Sequence, residues 1–143
     1  MELVVKTYDQ LTKEELYAIL GVRSQIFIVE QKMNCQDMDG KDMDALHFSL
    51  QQDGKILAYL RAFCLDREVK IGRVLSVSHN KGLGTALMNR FVEYIRRTTQ
   101  CRRICLHAQK HAVGFYEKMG FRKIGEEFYE EGVPHVEMER DIL

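Results

Sequence analysis

The sequence has no excess of either charge: 21 lysines and arginines balance 21 aspartates and glutamates. Nucleic-acid binding needs a dominant basic face, so nucleic acid is not expected as a partner. Arg90, Arg96, Arg97, Arg102 and Arg103 then read as a solvated face. No apolar run approaches the roughly 20 residues of a membrane-spanning helix, and no membrane partner is expected. The opening residues, MELVVKTYDQ, lack the basic and apolar pattern of a secretory signal, which makes a cytoplasmic location the expectation. Cys35, Cys64, Cys101 and Cys105 contain no CxxC pair, so zinc has little support and reduced thiols are expected. Proline occurs once, at Pro134, and Ser/Gly-rich linkers, repeats and low-complexity tracts are missing. One compact domain over residues 1–143 is the simplest organisation.

What is present is a globular composition, with 45% apolar residues. Glu2 to Thr7 carries a β-prone LVV and reads as a strand. Thr12, with Glu15 three residues on, forms a capping box. Leu16, Ile19, Leu20, Arg23, Ile26 and Phe27 follow at helical spacing, predicting a helix to about Val29. Strands are expected at Leu46 to Gln51, Lys55 to Leu65 and Val69 to Val77, with the Asp53-Gly54 hairpin signal between the first two. Leu83, Leu87, Phe91, Tyr94 and Ile95 mark the buried face of a second helix. A strand at Arg103 to Ala108 and a helix from Lys110 to Met119, stopped by Gly120, come next. Two strands, Phe121 to Tyr129 and Val133 to Asp141, close the pattern around a Glu131-Gly132 turn. The fold class is α/β: a mixed sheet of about seven strands with flanking helices, antiparallel early and with a late β-α-β crossover.

The stretch HNKGLGTALM, residues 79–88, places two glycines just before a helix, where a backbone can approach phosphate. A P-loop needs GxxxxGK[ST], and here Lys81 precedes the glycines. A dinucleotide fingerprint needs a third small residue where Leu87 stands, and it belongs to the first βα turn of its sheet, whereas this loop follows the fourth strand. A pyrophosphate cradle of the acetyl-coenzyme A type fits: successive N–H groups at a helix start bind two phosphates, helped by the helix dipole and by Lys81.

HNKGLG (79–84) resembles the [QR]-x-x-G-x-[GA] motif of the GNAT superfamily of N-acetyltransferases. AVGFYEKMGF (112–121) is similar to the A-x-x-F-Y-x-K-x-G-F segment late in that fold, and the two stand in the family's order. FIVEQ (27–31), QDMDGKDMDALH (36–47), GRV (72–74), LHAQ (106–109) and GVPHVEM (132–138) resemble its ElaA-like branch. His79 stands where Gln or Arg is usual, Asn80 where Gly is common, and Gln109 where Asn is frequent. The stretch between GRV and KGLG is about two residues short of the branch pattern, leaving open which backbone groups of Leu75, Ser76 and Val77 face a ligand.

The resemblance implies the GNAT acyl-CoA N-acyltransferase fold and transfer of an acetyl group from acetyl-CoA to an amine. It implies pyrophosphate donors along His79, Asn80, Lys81, Gly82, Leu83, Gly84 and Thr85, and further cofactor contacts from Leu75, Ser76, Val77 and Gln109. In the family the strand before the loop splays from its neighbour, so an N–H there can act as an oxyanion donor. Tyr116 matches the general acid that protonates the leaving thiolate; the competing reading is a packed core aromatic. A lysine-like amine has a pKa of about 10.4, so deprotonating it at pH 7 costs roughly 4.6 kcal/mol. Glu30, at the end of the first helix, is the first candidate base, beside His135, His47 and His107. The resemblance also makes a homodimer plausible.

Residues 30–44 hold five acids (Glu30, Asp37, Asp39, Asp42, Asp44) and Lys32 and Lys41, a net of 2 − 5 = −3. Such a rim would steer a cationic amine; the alternative is a solvated turn whose aspartates cap local backbone. Counted from Asp37, glycine falls at the fourth position and Phe48 at the twelfth, which does not fit a calcium loop, and no metal is expected. Two other classes remain open: a catalytically silent acetyl-CoA-binding sensor, and an interaction domain using the fold alone.

Overall fold

The computed structural model describes residues 1–142; Leu143, the last residue of the expected domain, lies outside the described residues. The strands are β1 (Glu2–Thr7), β2 (Leu46–Gln52), β3 (Lys55–Leu65), β4 (Glu68–Ser76), β5 (Arg103–Gln109), β6 (Arg122–Glu130) and β7 (Val133–Asp141). The helices are α1 (Lys13–Arg23), α2 (Leu83–Thr98) and α3 (Val113–Lys118). One sheet orders the strands β1-β2-β3-β4-β5-β7-β6. Among the described residues only β4 and β5 pair in parallel, joined by the α2 crossover. The element order expected from periodicity is the order observed.

Thr12 caps α1 as its sequence implies, its hydroxyl accepting from the Glu15 N–H while Glu15 accepts from the Thr12 N–H. The helix does not continue as α to Val29. From Ser24 to Glu30 it widens into a π-helix, with the Gln31 N–H reaching back to Ile26 O. The wider turn keeps Ile26 and Phe27 buried while turning Glu30 and Gln31 toward other elements, so a 3.6-residue period cannot anticipate it. The helix expected from Lys110 opens instead with a 3-10 turn, Lys110–Ala112.

The two faces of the sheet are covered unequally. On one, Phe48, Leu60, Val69, Ile104, Leu106 and Met138 pack against Leu87, Phe91 and Ile95 of α2 and against Tyr116 and Phe121. On the other, Tyr59 and Leu75 meet Ile19, Ile26 and Phe27 in a smaller cluster. The remainder of that second face is open and forms a cleft.

Candidate active site

The cleft begins where the sheet parts. β4 pairs with β3 along its length, but with β5 only through Glu68–Arg103, Val69–Ile104 and Lys70–Cys105. β5 then stays with β7 to Gln109, so a wedge opens between β4 and β5. A bulge bends β4 away. Gly72 faces Arg61 and Leu75 faces Tyr59, leaving Arg73 and Val74 opposite Leu60 alone. Arg73 sits at φ 53°, a left-handed conformation that a non-glycine residue holds only when its surroundings impose it.

The acidic segment supplies that constraint. Arg73 donates from Nε to Asp37 Oδ1 (2.9 Å) and from Nη2 to the Asp37 carbonyl (2.8 Å). Asp37 also accepts from Arg23 Nε at 3.0 Å. Asp42 Oδ1 accepts from Arg23 Nη1 (2.7 Å) and Arg61 Nη1 (2.9 Å), and Asp39 accepts from both terminal nitrogens of Arg61. Three carboxylates and three guanidiniums thus close a network around Arg23, which is 0% exposed. Burial alone would raise the Asp42 pKa, but Arg23 and Arg61 outweigh it and hold the carboxyl below its ordinary value. Arg61, ahead of partial desolvation, holds Asp39 far below the usual range. The expected electronegative rim is therefore corrected: Asp37, Asp39 and Asp42 are neutralised by arginines from α1, β3 and β4, and they brace the cleft wall instead of steering a cation.

By strand alternation the wedge receives the backbone of Ser76. The Val77 N–H donates to Leu57 O (2.9 Å), so Leu75 and Val77 direct their groups to β3 and Ser76 directs its own toward β5. Within the expected Leu75–Val77 run, only Ser76 has free donors and acceptors on the ligand side; those of Leu75 and Val77 are spent on the sheet.

Beyond β4 the loop turns through Asn80 (φ 60°) and Gly82 (φ 70°) into α2. Asparagine tolerates this conformation, which explains how it can stand where glycine is common. Gly82 is the N-cap and α2 has no side-chain cap, so the N–H groups of Leu83, Gly84 and Thr85 meet no partner from their own helix. Gly84 has a packing reason as well: a Cβ there would lie 3.3 Å from Phe115 Cζ. Lys81 is exposed beside the uncapped turn. His79, its side chain 76% exposed, lies 3.3 Å from Glu30, which puts the expected base against the loop before α2, while Gln31 next to it lines the cleft. Gln109 donates to Gln31 Oε1 at 3.1 Å, tying β5 to the end of the π-helix.

The cleft has a volume of about 670 Å³ and runs from Phe63 and Lys70 past Gly72 to Val74 to His107, Gln109 and Tyr116. Tyr116 is 7% exposed, packed edge-on to Phe115 and Phe121, and its burial pushes the phenol well above its ordinary pKa. It is thus both a core aromatic and a wall of the cleft. His47 is removed from the base candidates. Its Nδ1 meets the Tyr59 hydroxyl (2.7 Å), its Nε2–H donates to Asp42 O (2.9 Å), and burial lowers its pKa. Sequence reasoning missed Glu130, whose carboxylate lies between His107 and His135. Its place at the end of a strand before a turn carries no signal of that contact. Among the described residues no group of His, Cys, Asp and Glu could hold a metal ion.

A parallel strand pair that parts beside an uncapped helix start defines a class: transferases that seat an acyl-coenzyme A in the gap. Residues 9–142 match the family model of the acetyltransferase (GNAT) domain. The chain is 32% identical over 143 residues to protein ElaA of Escherichia coli (strain K12), covering 95% of this chain and 94% of ElaA. The crystal structure of an acyl-CoA N-acyltransferase from Pseudomonas aeruginosa superposes with a TM-score of 0.87 at 37% identity, covering 98% of this chain and 99% of that one. E. coli ElaA superposes with a TM-score of 0.86 at 32% identity, covering 97% and 98%. The chain belongs to the GNAT acetyltransferase family, on its ElaA-like branch, and is an acyltransferase.

Proposed function

We propose that the protein transfers the acetyl group of acetyl-CoA to a primary amine, by direct attack within a ternary complex. The observation that supports this most strongly is the wedge, which leaves the Ser76 backbone without a sheet partner next to the uncapped start of α2. In this reading the pyrophosphate lies on the N–H groups of Gly82 to Thr85, with Lys81 adding charge and His79 and Asn80 at its edge. The pantetheine arm runs along β4, pairing with Ser76 on one side and passing Gln109 on the other. The bulge lets an N–H of this stretch stabilise the thioester oxygen as it becomes an anion.

Tyr116 then serves the leaving group. Burial keeps the phenol protonated, so it can donate a hydrogen bond to the sulfur as charge develops there and pass on its proton as the thiolate leaves. The amine enters from the open face, beside Phe63 and Lys70. Initial rates with acetyl-CoA and amine both varied test the order of events. Intersecting reciprocal plots are expected; parallel lines would mean an acetyl-enzyme and overturn direct attack. Cofactor binding with no turnover over a broad amine panel would make the protein a silent acetyl-CoA sensor. We extend the proposal to a homodimer, for which light scattering on the purified chain would give twice the monomer mass; a monomer mass overturns it.

A further inference from the structure

We propose that His107, held by Glu130, takes the proton from the incoming ammonium, and that Glu130 and His135 complete the subsite that binds it. The inference rests on the acetyl-transfer reading and deepens it by naming the amine end of the acceptor site.

Three strands converge at this corner. His107 and Gln109 lie on the same face of β5, His135 is opposite Gln109 in β7, and Phe128 is opposite His135 in β6. Glu130 closes β6 next to the turn. His107 Nδ1 is 3.0 Å from Glu130 Oε1. An ionised carboxylate only accepts, so Nδ1 carries the hydrogen and donates it. The tautomer is thereby set, and Nε2 of His107 keeps its lone pair, with no partner among the described residues. The Phe128 ring stands edge-on 5.0 Å away and fixes the imidazole plane. This is the orienting logic of a carboxylate–histidine pair in hydrolases, arrived at here on a different scaffold.

His135 adds a second observation. It is 5% exposed yet lines the cleft. Its Nδ1–H donates to Val133 O (2.8 Å), and its Nε2 faces Glu130 Oε2 at 3.7 Å. The corner therefore presents His107 Nε2 and the Glu130 carboxylate as acceptors, with His135 packed against the same carboxylate, which suits the N–H groups of a cation. The charges facing it have the same tendency. Glu131 lines the wall and Glu137 is opposite His107, while Lys110 pairs with Glu127 at 3.6 Å. His111 and Lys70 also line the wall. Attraction for an ammonium thus comes from the β6–β7 end and not from the arginine-neutralised acidic segment.

His107 Nε2 takes one proton from the ammonium, giving a neutral amine and an imidazolium. The amine nitrogen bonds to the thioester carbon, the C–S bond breaks, and the thiolate takes the Tyr116 proton. The amide nitrogen loses its second proton through solvent to the Tyr116 phenolate, and the imidazolium releases the net proton to water.

The test uses the full chain with acetyl-CoA and two probe amines, an alkylamine protonated at pH 7 and a fluorinated alkylamine already neutral there. His107→Gln should lower kcat for the protonated amine about 100-fold, the lower end for general-base catalysis, and affect the neutral one far less. Glu130→Ala, which removes the acceptor of the Nδ1–H, should lower kcat for the protonated amine more than for the neutral one. Equal losses for both amines, or none, would overturn the assignment. Nitrogen NMR of the histidines in the cofactor-free protein decides independently of turnover. The Nδ1–H tautomer of His107 is expected; an Nε2–H tautomer overturns the proposal even if acetyl-CoA binds. Absence of acetyl-CoA binding with the Nδ1–H tautomer present would instead sink the transfer reading.

Discussion

Asp42→Ala removes the carboxylate on which two arginines converge. Arg23 Nη1 and Arg61 Nη1 approach the same oxygen at 2.7 and 2.9 Å, and the Arg23 side chain has no exposed surface. The intact network balances Arg23, Arg61 and Arg73 against Asp37, Asp39 and Asp42. Without Asp42 one buried positive charge is left over. Breaking a buried pair in this way costs about 3–5 kcal/mol. Arg23 keeps Asp37 and Arg61 keeps Asp39, so the lower end, about 3 kcal/mol, applies. For a chain of this size that is a drop of roughly 9 °C in Tm, at about 3 °C per kcal/mol. Differential scanning calorimetry reads the shift, and urea unfolding should show a lower midpoint at unchanged m. The cleft wall should loosen too, because Arg73 loses part of the cluster that holds its left-handed backbone. A fall in Tm below about 3 °C would class the network with ordinary surface ion pairs and refute its bracing role.

Other outcomes follow from the same geometry. The folded pKa of His47 is depressed, so as pH falls below about 6.5 the unfolded chain protonates first and stability declines; Asp39 and Asp42, also depressed, lose theirs below about pH 4. Thermal melts across pH 3–8 should show both declines, and a flat profile from pH 8 to 5 would remove the His47 part. Tyr116→Phe should cut kcat about 100-fold while leaving acetyl-CoA affinity within a few-fold, measured by stopped assays and calorimetry; an unchanged kcat would leave Tyr116 as a core aromatic only. Glu30→Gln should weaken cofactor binding modestly through His79 and leave the acid limb of the pH–rate profile in place. A displaced limb would support Glu30 as the base.

Periodicity and turn chemistry made most of the scaffold legible. Thr12 and Glu15, the Asp53-Gly54 turn and the apolar stripe of α2 act over a few residues, and local sequence encodes them directly. The glycine turn into α2 was legible for the same reason, since an uncapped helix start after glycines is a local feature. The charged segment was not. Whether Asp37, Asp39 and Asp42 face solvent or guanidiniums depends on Arg61 and Arg73, up to 36 residues away, which only the sheet register brings near. The π-helix lay hidden because its hydrogen bonds shift by one residue without changing which side chains are apolar. The free backbone of Ser76 follows from the bulge at Arg73, and nothing in the GRV stretch alone announces a left-handed arginine. Glu130 entered no motif, because its significance is its distance to two histidines on other strands.

The central claim is acetyl transfer from acetyl-CoA through the β4–β5 wedge. The most direct measurement is a titration of the purified chain with acetyl-CoA at up to ~1 mM, read by thermal shift and followed by mass spectrometry of an amine library. Binding at about 100 Kd should add roughly 2.7 kcal/mol of stability, and each equivalent of free thiol released should match one equivalent of acetylated amine. No stabilisation at ~1 mM acetyl-CoA, with no acetylated product, would contradict the account.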